Sequence, residues 1–189
     1  DSQVTVIDIA AKKAIKTIKV GVEPEGIAAS ADGKWLVSAS ETTNMLHWID
    51  TQNWSIVENT LVDPRPRAAS FTADSVELWA TSEMAGTVVV VDAASKQITH
   101  TIKLEVPGLN NDLIQPVGVL IDKNRRYAYV AMGPANRIAV INAQTFQVEQ
   151  YLLVGQRVWN LAFSPDQQRL YTSNGLSNDV SVIELNTFK

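Results

Sequence analysis

Cysteine is absent from the 189 residues, and histidine occurs only twice. Without thiols the chain forms no disulfide, no Cys-ligated zinc or iron–sulfur site and no c-type haem attachment. Two histidines cannot build a three-histidine metal site. Charge of one sign is lacking as well. Sixteen Lys and Arg against twenty Asp and Glu leave a scattered net charge of −4, whereas nucleic-acid binding asks for a basic face. No apolar run approaches the roughly 18 residues of a membrane span. No window sustains a 3.6-residue apolar period, so helix is expected to be almost absent. A Ser/His/Asp constellation is poorly served by so few histidines, and no glycine-rich loop with its Lys-Ser/Thr is present. Catalytic residues, metals and cofactors are therefore not expected, nor is a nucleic-acid partner.

What is present is a large apolar fraction, 46%, arranged in a repeat. A β-branched run ending in an acid or amide recurs at Val6-Ile7-Asp8, Trp48-Ile49-Asp50, Val90-Val91-Asp92, Val140-Ile141-Asn142 and Val182-Ile183-Glu184, with spacings of 42, 42, 50 and 42. Asp32, Asp74, Asn124 and Asp166 keep the same register, as do Pro24, Pro66, Pro116 and Val158. One eight-residue insertion, residues 105–112, accounts for the single departure. Each unit reads as four short strands. In the second they fall at 27–30, 35–40, 46–49 and 56–62, separated by turn residues such as Ala31-Asp32-Gly33-Lys34. Asn44, Gly86, Asn136 and Asn178 precede each third strand, and these residue types favour a left-handed backbone there. Gly26, Ala68, Gly118 and Asn160 mark the innermost strands, where small residues suit converging backbones and Asn160 is the exception.

Four antiparallel strands per 42 residues predict an all-β fold, a β-propeller of four-stranded blades. Register counting gives a half blade at 4–20, blades at 24–62, 66–104 and 116–154, and an incomplete blade at 158–185. Together they describe an arc of a larger ring whose incomplete terminal blades are candidates for association.

The run Leu170-Tyr171-Thr172-Ser173-Asn174, followed by Asn178-Asp179-Val180-Ser181-Val182-Ile183, resembles the YVTN-type propeller repeat, and the likeness extends over essentially the whole chain. The loop Ser40–Asn44 with Val20–Met45 around it, Gln115–Val119, Gly133–Arg137 and Tyr151–Trp159 resemble more narrowly the bacterial propellers associated with pyrroloquinoline-quinone (PQQ)-dependent catabolism, a group close to surface-layer-like proteins. The resemblance implies a seven-bladed ring, export to the periplasm or beyond, and a place beside quinoprotein alcohol oxidation. It implies no particular activity.

In such a fold the connections between blades share one face with the loops between second and third strands. Register places Glu23, Arg65, Gln115 and Arg157 around the mouth of that face, with Arg67 and Trp159 close by, and Glu41 and Glu83 in a common loop position whose counterparts are Gly133 and Gly175. Arg65, Arg67 and Arg157 are the types that grip a carboxylate or an acidic protein loop by forked hydrogen bonds, and Trp159 would anchor an apolar group. The competing reading pairs those arginines with Glu23, Glu25, Glu41 and Glu83 as ties between blades. A Glu41/Glu83 acid–base pair is a weak alternative, since repetition alone yields two such glutamates. His47 reads as inter-blade packing and His100 as solvated. The expected function is a non-catalytic binding or scaffold module for a protein or small anion, accessory to quinoprotein alcohol catabolism. The alternatives are a subunit of a quinone-linked oxidation enzyme and a cell-surface structural module.

Overall fold

A computed structural model describes residues 2–189. Seventeen strands and one 3-10 turn at Asn111–Leu113 make up its regular structure. A two-stranded sheet pairs β1 (Gln3–Asp8) with β2 (Lys13–Lys19). Three four-stranded sheets follow, each an antiparallel meander: β3 (Pro24–Ala29), β4 (Trp35–Ser40), β5 (Met45–Asp50) and β6 (Ser55–Leu61); β7 (Pro66–Phe71), β8 (Glu77–Ser82), β9 (Thr87–Asp92) and β10 (Ile98–Lys103); β11 (Val119–Ile121), β12 (Tyr127–Ala131), β13 (Arg137–Asn142) and β14 (Val148–Leu153). A three-stranded sheet of β15 (Val158–Phe163), β16 (Arg169–Asn174) and β17 (Asp179–Glu184) ends the order. β3 starts earlier than the β-branched run at Ile27 suggests, because Pro24 needs no donor to join the ladder opposite Ser40.

The sheets stack face to face, which explains the unbroken apolar runs. In β9 every residue from Thr87 to Val91 is buried. Successive side chains point to opposite faces, so Val89 and Val91 join Leu46, Trp48 and Leu78 in one core, while Val88 and Val90 join Trp79, Val130 and Ile141 in the next. A third core unites Tyr129, Ile138 and Val140 with Leu170 and Ile183. Trp48 and Trp79 are fully buried, each worth roughly 5 kcal/mol of gross apolar burial.

Two local devices recur with the period. The turn between first and second strands places Gly33, Ser75, Arg125 and Gln167 at positive φ. Asp32, Asp74 and Asp166 close three of those turns, accepting from the hydroxyls of Ser30, Thr72 and Ser164. Those hydroxyl bonds are the main reason that all three carboxyls titrate below the ordinary aspartate value. The turn that follows each third strand of the repeat places Lys12, Trp54, Lys96, Phe146 and Phe188 at positive φ. From the third of these onward the side chain packs back on an aromatic of the preceding sheet. The Lys96 ammonium lies 4.0 Å from the Trp35 ring centre, Phe146 is 5.8 Å from Trp79, and Phe188 is 5.7 Å from Tyr127. Burial is the main cause that depresses the Lys96 pKa, and Lys34 adds repulsion. His100, read as solvated, stacks on Phe146 at 3.7 Å while one side stays exposed.

His47 is buried against the segment that joins the first two sheets. Its Nε2 accepts from the Gly21 N–H at 2.8 Å, and its Nδ1 lies 2.5 Å from Asn59 Oδ1. Accepting at Nε2 leaves Nδ1 as the protonated nitrogen. Gly155 repeats the arrangement, donating to the Ser181 hydroxyl at 3.2 Å.

Candidate functional site

The face that carries the between-blade connections is built by strained backbone. Glu23 (φ 57°), Arg65 (φ 67°) and Arg157 (φ 54°) are all left-handed, which turns the chain sharply into β3, β7 and β15. Their carbonyls accept from the N–H groups of Glu41 (2.8 Å), Glu83 (2.9 Å) and Gly175 (2.9 Å), so connection and loop are held together. The left-handed residues expected before the third strands are present: Asn44 (φ 55°), Gly86 (φ 65°), Asn136 (φ 56°) and Asn178 (φ 56°). The sequence pattern did not reveal that two of them cap the next blade. Asn44 Oδ1 accepts from the Arg65 N–H at 3.1 Å and Asn136 Oδ1 from the Arg157 N–H at 2.7 Å. Gly86 cannot do this, and a Cβ there would lie 3.2 Å from the Ile114 carbonyl, which the insertion brings overhead.

The candidate residues separate into three groups. Glu41 and Glu83, each with a side chain 7% exposed, meet Arg65 and Arg67. Arg65 Nε touches Glu41 and lies 3.2 Å from Glu83. Arg67 reaches Glu41 at 2.7 Å, Glu83 at 3.5 Å and Glu25 at 3.6 Å. Two guanidiniums thus neutralise two buried carboxylates between neighbouring sheets, and Glu23 stands at the edge, accepting from the Thr42 hydroxyl. Gln115 is drawn away from this cluster: its Nε2 donates to the Asp112 carbonyl at 2.9 Å, inside the inserted segment.

Arg157 and Trp159 form the third group. The guanidinium sits 4.5 Å from the indole centre, and that of Arg67 approaches the same ring at 5.9 Å. Among the described residues Arg157 has no carboxylate partner, unlike Arg65 and Arg67. Gly175 makes the space for this ring, since a Cβ there would stand 2.5 Å from Trp159 Nε1. Below Trp159, β3, β7, β11 and β15 converge on a groove of about 460 Å³, lined by Glu25, Ile27, Arg67, Ala69, Val119 and Trp159 among others. The convergence depends on glycine. A Cβ on Gly26 would lie 2.7 Å from the Arg67 carbonyl, and one on Gly118 would lie 2.9 Å from the Trp159 carbonyl.

At the opposite ends of the strands a second inter-blade pair joins Arg125 to buried Glu77, which also accepts from Trp79 Nε1 at 3.1 Å. It was not among the residues picked from sequence. A Glu beginning a β-strand two residues before a Trp was the available signal. No group of three or more His, Cys, Asp or Glu among the described residues is placed to hold a metal ion. No helix among them is long and apolar enough to cross a membrane.

A search among curated proteins finds no match. Among solved structures, the chain is similar to dihydro-heme d1 dehydrogenase NirN in complex with DHE, with TM-score 0.83 and 20% identity over the whole of this chain. It spans 41% of that protein's length. It is also similar to Kuenenia stuttgartiensis hydrazine synthase, with TM-score 0.54 and 12% identity, covering 97% of this chain and 89% of that one. At these identities the likeness concerns the fold, a propeller of four-stranded blades. A family model, the choice-of-anchor I domain, matches residues 1–181. The four-stranded repeat and this match together place the chain in one family: it belongs to the choice-of-anchor I domain family.

Proposed function

We propose that this chain is a non-catalytic binding or scaffold module of propeller type, acting outside the cytoplasm, and that it meets its partner through the face carrying Arg157 and Trp159. The observation that carries this reading is the division of labour among the arginines. Arg65 and Arg67 are held by Glu41 and Glu83, which ties that side of the face together across two blades. Arg157 is left on Trp159 with five N–H donors and no carboxylate partner among the described residues. Rigid aromatic and arginine side chains on a well-supported surface are the residue types that dominate recognition. The extracytoplasmic location is supported by the family's description as a domain with a choice of anchor. A partner drawn from quinone-linked alcohol oxidation follows from the loop sequences' resemblance to PQQ-associated propellers, and this part of the proposal rests on that resemblance alone.

The test is site-specific photocrosslinking. A photoreactive residue is placed at Trp159 on the proposed face or at Ala31 in a turn at the other strand ends, and each protein is exposed to a periplasmic extract. Discrete adducts from position 159 that are absent from position 31 are expected. Equal labelling from both positions, or no adduct from 159, overturns the assignment.

A further inference from the structure

We propose that the pocket between the fourth and fifth sheets, at the strand ends opposite Arg157 and Trp159, binds an uncharged saccharide ring. The cavity measures about 600 Å³, within the range of small-molecule sites. It opens because the repeat changes its fillers here. Between the second and third sheets the Lys96 ammonium fills the corresponding space, lying on Trp35. Between the third and fourth, the Arg125 guanidinium does so by pairing with Glu77 and Asp74, and Trp79 Nε1 donates to Glu77 at 3.1 Å. One period on, Gln167 stands for Arg125, Tyr127 for Glu77 and Tyr129 for Trp79. Gln167 is shorter, and its Oε1 accepts from the Lys123 N–H at 2.9 Å. The charged bridge is gone and the space remains. Tyr129 has also lost the acceptor that Trp79 keeps. It is only 2% exposed and lines the pocket, yet its hydroxyl makes no hydrogen bond among the described residues. Burial is the main cause that holds this hydroxyl protonated far above the ordinary tyrosine range, and Asp122 adds to it. A buried donor without a partner is costly to keep, so a ligand that accepts from it gains.

Charge favours neither an anion nor a cation. Asp122 and Asp166 line the pocket together with Lys123 and Arg126, which balances the two signs. Asp122 is engaged by the backbone N–H groups of Asn124, Arg126 and Tyr127, and Asp166 by the Ser164 hydroxyl. Both carboxylates thus serve their own turns first. Arg126 rests on the Tyr127 ring at 5.4 Å.

The wall supplies the rest of the ligand's chemistry. Tyr127 and Phe188 stand almost at right angles, 81° with ring centres 5.7 Å apart, and Leu185 continues the apolar surface. Such a corner suits the C–H face of a pyranose ring. Around it lie the side-chain amides of Asn124, Gln168 and Asn186, each offering both donors and an acceptor. A hydroxyl also donates and accepts. A ring carrying several hydroxyls therefore uses the amides, the carboxylates and the Tyr129 O–H together, whereas a wholly apolar ligand would strand them without water.

The probes are the methyl glycosides of glucose, galactose and mannose, with glucosamine and glucuronate as charged counterparts. Each is added to the whole chain and followed by saturation-transfer difference NMR. At least one neutral glycoside is expected to bind in the millimolar range, and neither charged counterpart more than about threefold tighter, as solvated ion pairs are weak. Tyr129→Phe removes only the hydroxyl and should weaken binding about fivefold. Gln167→Arg restores the residue type of the preceding joint on the left-handed backbone that Arg125 also adopts (φ 57° and 53°), and should abolish binding by filling the cavity. Gln52→Arg, in an exposed turn of the second sheet, should change nothing. If Gln167→Arg does not fold, Tyr129→Phe decides alone. Four results overturn the proposal: no saturation transfer to any neutral glycoside at tens of millimolar, a charged counterpart bound beyond the stated margin, binding unchanged in Tyr129→Phe, or binding that survives in folded Gln167→Arg.

Discussion

Replacing Glu41 by Gln removes one of the two buried carboxylates between the second and third sheets while keeping nearly the same volume. Its oxygen lies 2.7 Å from Arg67. At an effective dielectric constant of about 20 that pair is worth about 6 kcal/mol of gross attraction, most of which offsets the desolvation of the two charges. Once Glu41 is neutral, Arg67 keeps only Glu83 at 3.5 Å and Glu25 at 3.6 Å, and Arg65 depends on Glu83 alone. Removing one partner from such a site loses about 3 kcal/mol. With a urea slope of about 2 kcal/mol per molar, the denaturation midpoint should fall by about 1.5 M. The double variant Glu41→Leu/Arg67→Leu removes one charge of each sign and leaves Arg65 with Glu83 at 3.2 Å. It should lie within about 1.5 kcal/mol of the parent, far above the sum of the single changes. A Glu41→Gln midpoint within about 0.3 M of the parent, or strict additivity in the cycle, would refute the picture of a mutually neutralised buried network.

Gly26→Ala and Gly118→Ala each drive a Cβ into neighbouring backbone at 2.7 and 2.9 Å and should each destabilise by about 2 kcal/mol in the same urea assay. Gly175→Ala meets the movable indole of Trp159 instead. It should change stability by less than about 1 kcal/mol yet alter the near-UV circular dichroism by displacing the indole that Arg157 rests on. Asn136→Ala combines loss of the bond to the Arg157 N–H with a left-handed alanine and should cost about 2 kcal/mol; Asn136→Gly should recover about half of that. Finally, Asp32, Asp74, Asp92, Asp166 and Asp179 all have folded-state pKa values below the ordinary 3.8. Their stabilisation is therefore complete above that value and is lost as pH falls below it. Urea midpoints measured downward from pH 6 should stay level and then drop below about pH 4, and the drop should flatten in Asp32→Asn/Asp74→Asn/Asp166→Asn.

The blade pattern was legible because it is written in local terms. Alternating burial, turn chemistry at Asp32 and Asp166, and left-handed tolerance at Asn44, Asn136 and Asn178 each act over a few residues and recur at a fixed interval. The Lys12, Trp54, Lys96, Phe146 and Phe188 positions obey the same interval but escaped notice, because lysine and phenylalanine do not look alike. What they share is a left-handed backbone, with side chains that at Lys96, Phe146 and Phe188 lie across a neighbouring ring. The candidate site was legible as a set of residues on one face and not as an arrangement. Register put Glu23, Arg65, Gln115 and Arg157 at one height. Which of them pair depends on side-chain reach across blades and on an insertion that draws Gln115 toward Asp112.

By itself, then, the sequence determined the sheet type, the period and the faces that meet, since hydrophobic alternation and turn residues carry that information along the chain. Only the tertiary structure decided that Arg65 and Arg67 neutralise Glu41 and Glu83 while Arg157 stays on Trp159. That outcome turns on distances between sheets, where a missing Cβ at Gly175 admits an indole and two glutamates at the same register elsewhere admit guanidiniums. Spacing along the chain records the register, but the space between the blades sets which charges meet.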